Sequence, residues 1–188
     1  TRCSRDWSSD VCSSDLIVKD MGVVGTGGAT FPTHVKLSVP KGRTVDALVV
    51  NGVECEPYLT ADHRLMLEET ERVLRGIMIV AKITGPKRII IGVENNKKDA
   101  IAMLRQEIAR LGFPITVMAL RVKYPQGDEK QLLKATIKRE IPSGKLPLDV
   151  GAVVLNVGTS FAIYEAVAMR KPLIDRVVTI SGEAMKEK

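Results

Sequence analysis

Short unbroken apolar runs alternate along the chain with longer segments whose apolar residues recur every three or four positions. The runs at 45–50, 88–93, 115–122 and 153–159 are rich in Val, Ile and Leu, and each predicts a strand buried on both faces. Between them, the spacing predicts helices over 64–83, 98–111, 131–139 and 160–169. Thr60 to Asp62 offers capping residues for the first of these, while Gly85-Pro86 and Gly112-Phe113-Pro114 supply stops. Residues 176–181 read as one more strand that opens a new unit. Repeated strand-helix units predict an α/β fold, a parallel sheet with flanking helices. No period of fixed length repeats, so a solenoid is disfavoured.

Each apolar run gives way to polar residues: Asn51 to Tyr58, Glu94 to Lys97, Tyr124 to Lys130 and Asn156 to Thr159. In open α/β sheets the carboxyl ends of the strands are where ligands bind. A glycine-rich stretch, Gly22-Val23-Val24-Gly25-Thr26-Gly27-Gly28-Ala29-Thr30-Phe31-Pro32-Thr33-His34-Val35-Lys36, precedes the first strand. Its backbone can approach a flat or phosphate-bearing ligand closely, and Lys36 is placed to meet the charge. A glycine loop before the first strand, instead of after it, departs from the ordinary dinucleotide-binding βαβ fingerprint.

Composition narrows the function classes. The 188 residues are 45% hydrophobic, enough for a core, and no apolar run has the length of a membrane span. A net charge of +6 admits an anionic ligand. Basic residues are dispersed and only 4% of residues are aromatic, which argues against nucleic acid. Cys3, Cys12 and Cys55 lack metal-ligand spacing, so no metal site is expected within these residues. Cys55, between Glu54 and Glu56, reads as a small packed residue, because neighbouring carboxylates raise a thiol's pKa. His34 and His63 read as packing or capping residues. The charges at 94–97 and 128–130 are either site groups or solvated loop ends. Residues 1–16, a Ser/Asp-rich stretch without helical or strand periodicity, read as a tail foreign to the domain.

Four segments together carry a family resemblance: Gly25 to Lys36, Asn51 to Asp62, Tyr124 to Lys130 and Asn156 to Thr159. In this order they resemble the C subunit of the Rnf electron-transport complex, which shares its core with the NADH- and flavin-binding subunit of respiratory complex I. The resemblance runs from about Gly22 to Gly182. It implies a non-standard Rossmann-like FMN/NADH-binding domain of the complex I flavoprotein type over 17–175, with 176–188 beginning a β-rich, β-grasp-like domain.

By that resemblance Gly25, Gly27, Gly28 and Lys36 hold FMN or NADH phosphates, and Asn51 and Glu54 bind the flavin side. Tyr124, Gly127, Asp128, Asn156 and Thr159 complete the flavin pocket, and Phe31 lies against the adenine. Glu56 and Glu129 match acidic residues that orient the nicotinamide and ribose. Val53, Thr26 and Val39 depart from the complex I pattern, where an aspartate, an arginine and an aromatic stand. The implied activity is hydride transfer from NADH to FMN, with electrons leaving toward ferredoxin through 4Fe-4S clusters expected only in a C-terminal region beyond residue 188. The implied partners are the other subunits of a membrane-bound, ion-pumping complex at the cytoplasmic face of the cell membrane, with no nucleic acid and no direct membrane span. Two alternatives share the fold: a catalytically silent docking module and the flavin subunit of a cobalamin reductase.

Overall fold

The computed structural model describes residues 11–183, with side chains from residue 14 onward. Four strands form the sheet: β1 (Ala47–Gly52), β2 (Arg88–Glu94), β3 (Ile115–Leu120) and β4 (Ala152–Asn156). They are parallel throughout and stand in the order β3-β2-β1-β4. The chain therefore winds outward from β1 through β2 to β3, then crosses back to place β4 on the other side of β1. The reversal makes the carboxyl ends of β1 and β4 the topological switch point.

Helices α1 (Val11–Asp20), α2 (Thr33–Leu37), α3 (Ala61–Glu68), α4 (Thr70–Thr84), α5 (Lys98–Leu111), α6 (Glu129–Ile137) and α7 (Val157–Met169) flank the sheet, and a 3-10 turn, Pro147–Val150, precedes β4. Side chains alternate across each strand. Leu48, Val50, Ile89, Ile91, Val153 and Leu155 join the large core beneath α4, α5 and α7. Ala47, Val49, Ile90 and Val154 pack with Leu132, Leu133 and Ile137 of α6 on the other face. Both faces are covered, which is why these strands read as unbroken apolar runs instead of alternating ones.

The helix expected over 64–83 is two helices. Thr70 turns its hydroxyl back onto the carbonyls of Met66 (2.6 Å) and Leu67 (3.3 Å), and Glu69 between the helices leaves helical geometry at φ −123°. Thr and Ser that bond the preceding turn bend or break helices in this way. Gly85 and Gly112 end α4 and α5 in left-handed conformations (φ 58° and 66°) that other residues adopt at a cost.

Three further expectations change. The strand read over 153–159 stops at Asn156, whose side chain caps α7 by accepting from the N–H groups of Gly158 and Thr159. Residues 176–181, read as a strand, have no strand structure; they run as a mostly exposed strap. Of the segment read as a foreign tail, 11–16 are helical within α1, because Ile17 and Val18 are buried in the core and anchor the helix they extend from. Residues 1–10 lie outside the described residues.

Candidate cofactor-binding site

The four polar strand ends meet the glycine loop on one side of the sheet. Asn51 and Asn156 are register partners at the ends of β1 and β4, so the switch point presents two adjacent amides. A cavity of about 800 Å³ opens there, lined by Gly27, Asn51, Glu54, Glu56, Gly127 and Asn156 of the expected site. Its size is within the roughly 300–1,000 Å³ of small-molecule sites.

Hydrogen bonds fix the loops around it. Asn51 Nδ2 donates to the Gly127 carbonyl (2.9 Å) and its Oδ1 accepts from Val53 N–H (3.1 Å), tying the β1 end to the β3 end. Thr26 donates its N–H to Thr159 Oγ1 (3.0 Å) and its hydroxyl to Asn156 Oδ1 (3.1 Å), seating the glycine loop on the start of α7. Position 27 has to be glycine for this seat, since a Cβ there would come within 2.7 Å of Asn156 Nδ2. Gly127 is less tightly confined, with an added Cβ 3.2 Å from the Val53 carbonyl and 3.3 Å from Cys55 Sγ. Cys55 itself is partly buried against the core on the α6 face, consistent with the packing role read for it.

Glu54 occupies the centre of a buried charge cluster. Its carboxylate accepts from the N–H groups of Asp62 (2.8 Å) and His63 (3.1 Å), and so caps α3 from outside the helix. Thr60, the expected cap, makes no side-chain capping bond. Lys97 pairs with Glu54 on the inner side and stands 3.9 Å from Glu94. The Glu54, Glu94 and Lys97 side chains are 5%, 2% and 9% exposed, so Glu94 and Lys97 are not solvated loop ends. Burial pushes the Glu94 carboxyl above its ordinary value, and its Oε1 has no hydrogen-bond partner. His63 bonds Asp99 at 2.9 Å, which links α3 to α5.

Asp62 was not foreseen as a site group. It lines the cavity and accepts from Asn156 Nδ2 at 2.7 Å, which orients that amide with its oxygen toward Thr26 and α7. Burial raises its pKa from 3.8 to about 6, partly offset by the Asn156 hydrogen bond. The folded protein thus holds a proton here that the unfolded chain releases at lower pH. The associated stability is fully present below 3.8 and is lost as pH rises through about 6. Asp62→Asn is therefore expected to raise stability above pH 7 by on the order of 1–3 kcal/mol and to flatten the decline between pH 4 and 6. Denaturant titrations across that range check this; an unchanged pH profile would contradict it.

The remaining expected residues lie outside that cavity lining. Lys36 and Glu129 meet in an ion pair at 3.0 Å, both about one-third exposed. Tyr124 stands beside Glu56, and its hydrogen bond to that carboxylate raises the phenol's pKa. Phe31 is half-exposed. Asp128 caps α6 through the N–H groups of Lys130 and Gln131. Thr159 is buried beneath the glycine loop, and Gly28 is exposed on it. Asp62 and Arg176, which both line the cavity, were not read as site groups; Asp62 had a visible signal, at the end of the Asn51 to Asp62 segment, whereas Arg176 stands in none of the four segments.

A parallel sheet whose switch point carries paired amides under a glycine loop defines a nucleotide-type cofactor domain. The chain belongs to the family of Nuo51 FMN-binding domains, whose model matches residues 18–165. It is 49% identical over 185 residues to the C subunit of the proton-translocating ferredoxin:NAD(+) oxidoreductase complex of Clostridium ljungdahlii, covering 98% of this chain and 40% of that protein. It is 50% identical over 170 residues to the Na(+)-translocating counterpart of Acetobacterium woodii, covering 90% of this chain and 38% of that one. To the C subunit of the ion-translocating oxidoreductase complex of Pseudomonas aeruginosa it is 41% identical over 169 residues, 90% of this chain and 22% of that protein. The chain thus spans well under half the length of these relatives. The resemblance to the Rnf C subunit read from the four motifs is upheld. The crystal structure of an NAD+-reducing [NiFe]-hydrogenase in its air-oxidized state shares the fold, with a TM-score of 0.73 at 22% identity over 85% of this chain and 30% of that one.

Proposed function

We propose that this domain binds FMN at the switch-point cavity and passes it electrons from NADH, as part of a subunit of a membrane-associated, ion-translocating ferredoxin:NAD oxidoreductase. The observation that carries this reading is the pairing of Asn51 with Asn156 at the carboxyl edge, closed over by the glycine loop. The donor set fits a flavin mononucleotide. Among the described residues the N–H of cavity-lining Gly27, and that of Gly28 next to it on the exposed loop, donate to nothing. Such uncommitted donors suit a ligand's oxygens.

When bound, FMN supplies the conversion between two-electron hydride chemistry and one-electron transfer. The chain's residues position and enclose. Gly25, Gly27 and Gly28 give the ligand close backbone approach, and Asn51 and Asn156 hold the loops that frame it. Glu54, neutralised by Lys97, keeps α3 and Asp62 in place. On the outer rim Lys36 offers charge to a phosphate, and Phe31 offers an apolar face to the adenine. Glu56 and Glu129 orient the nicotinamide and ribose. Lys36 and Glu129 being already paired, ligand entry exchanges one ion pair for another instead of desolvating a lone charge. Any 4Fe-4S clusters that would carry electrons on toward ferredoxin would be held by residues other than these. Among the described residues no helix is long and apolar enough to cross a membrane, and the domain associates peripherally, at the cytoplasmic face, through other subunits.

Glu129→Gln tests the division of labour. The pair is partly exposed, so folding stability should change by less than about 1 kcal/mol. FMN affinity should hold while the apparent Kd for NADH rises roughly tenfold, the effect of losing one charge-assisted hydrogen bond. Calorimetric titration of FMN into the FMN-free protein, and of a redox-inert NADH analogue into the FMN-loaded protein, reads the two affinities; an unchanged affinity for the analogue would remove Glu129 from the site.

A further inference from the structure

We infer that Arg176 is a phosphoryl-binding residue of the cofactor site, clamped over the glycine loop by the strap that follows α7. This rests on the nucleotide reading above and adds a residue outside all four motifs.

Among the described residues the cavity is lined by three cations, Arg72, Lys171 and Arg176. Two of them are committed. Arg72 pairs with Glu69 at 3.2 Å, and Lys171 pairs with Glu165 at 3.0 Å and Asp175 at 2.8 Å. Arg176 has no carboxylate partner among the described residues. Its Nη2 donates to the carbonyl of Thr26, in the middle of the glycine loop. A guanidinium carries five N–H donors in a fork suited to phosphate oxygens, and that contact uses one nitrogen.

The placement is held from both sides. Further along the strap, Thr179 Oγ1 accepts the N–H of Thr60 at 3.0 Å, so the strap bridges from the glycine loop to the start of α3. The Arg176 charge is felt inside the cavity, where it acts on Asp62. Gly27, the residue after that carbonyl, lines the same cavity, and its N–H has no acceptor among the described residues. A fixed cation and an uncommitted backbone N–H that line one cavity are both donors suited to the oxygens of a phosphoryl group. Lys36, the motif's own cation, is already held by Glu129.

The phosphoryl group belongs either to FMN or to the dinucleotide, and paired ligands separate the two. Arg176→Ala and Arg176→Lys proteins are titrated with FMN and with riboflavin, and their FMN-loaded forms with ADP-ribose and with adenosine. Arg176→Ala should weaken the phosphate-bearing ligand of one pair by about 10- to 100-fold and leave its phosphate-free counterpart unchanged, while Arg176→Lys recovers part of the loss. Selective loss of FMN assigns the flavin phosphate, and selective loss of ADP-ribose assigns the dinucleotide. Equal losses within both pairs would show that Arg176 only fastens the strap, and no loss in either would show an idle surface cation; each overturns the inference. Wild-type protein that binds neither FMN nor ADP-ribose overturns the nucleotide reading itself, and the inference falls with it.

Discussion

Lys97→Met is expected to destabilise the protein by about 3–5 kcal/mol at pH 7, the cost of removing one partner from a buried ion pair. Lys97 is the cation packed between Glu54 and Glu94, and all three side chains are less than one-tenth exposed. Methionine fills a similar volume, so the loss is electrostatic: two carboxylates remain in a region from which water is excluded. Glu94 relieves part of the strain by protonating, since burial already raises its pKa. Glu54 is left holding the cap on Asp62 and His63 without its cation. The damage should therefore reach the cavity through α3, Asp62 and Asn156. Adding Glu54→Gln to Lys97→Met should restore more than half of the lost stability, because an amide oxygen still accepts from α3 and only Glu94, whose pKa burial already raises, is left without the lysine. Urea unfolding of the two single variants and the double variant checks this. A Lys97→Met loss below about 1 kcal/mol, the range of exposed pairs, would mean that the cluster is solvated and that its geometry owes nothing to the lysine.

Gly76→Ala should be the second severe change. On helix propensity alone alanine would gain about 1 kcal/mol over glycine. The packing reverses the sign, because a Cβ at Gly76 would lie 1.8 Å from the Ser160 carbonyl oxygen and 2.7 Å from its carbon. Both atoms are backbone, so no rotamer change relieves the clash, and α4 and α7 must separate. Overpacking of this kind costs about 1–3 kcal/mol and sometimes more, and a net loss of at least about 2 kcal/mol is expected. Ser160 is four residues beyond Asn156, in the first turn of α7. Displacing that turn moves the Thr26, Asn156 and Thr159 contacts that seat the glycine loop, so FMN affinity should fall with stability. Thermal melts and flavin titration of the same variant test the coupling. A melting temperature at or above the wild-type value would show that the two helices are not in fixed contact.

Most of the sheet was legible because its strands are covered on both faces, and burial leaves a continuous apolar run that neighbouring helices do not imitate. Asn51 and Asn156 were legible for a related reason, since polar residues directly after such runs have to sit at the sheet's carboxyl edge. What escaped was decided by contacts distant in sequence. The α3 cap comes from Glu54 and not from adjacent Thr60. The Thr70 hydroxyl outweighs an otherwise helical pattern across Glu69. Glu94 and Lys97 look like loop charges until Glu54, some forty residues earlier, is brought to meet them. Residues 176–181 have a strand's composition but find no edge of the sheet to join, and Arg176 acquires its significance only when the strap reaches Thr26.

The central claim, a flavin site at the β1–β4 switch point, is tested most directly by titrating FMN into the protein while following flavin fluorescence, then adding NADH without oxygen. Saturable quenching at one FMN per chain, followed by bleaching of the visible flavin band, is the expected result. A folded protein that leaves FMN fluorescence unchanged would contradict the claim and favour a docking role for the same fold.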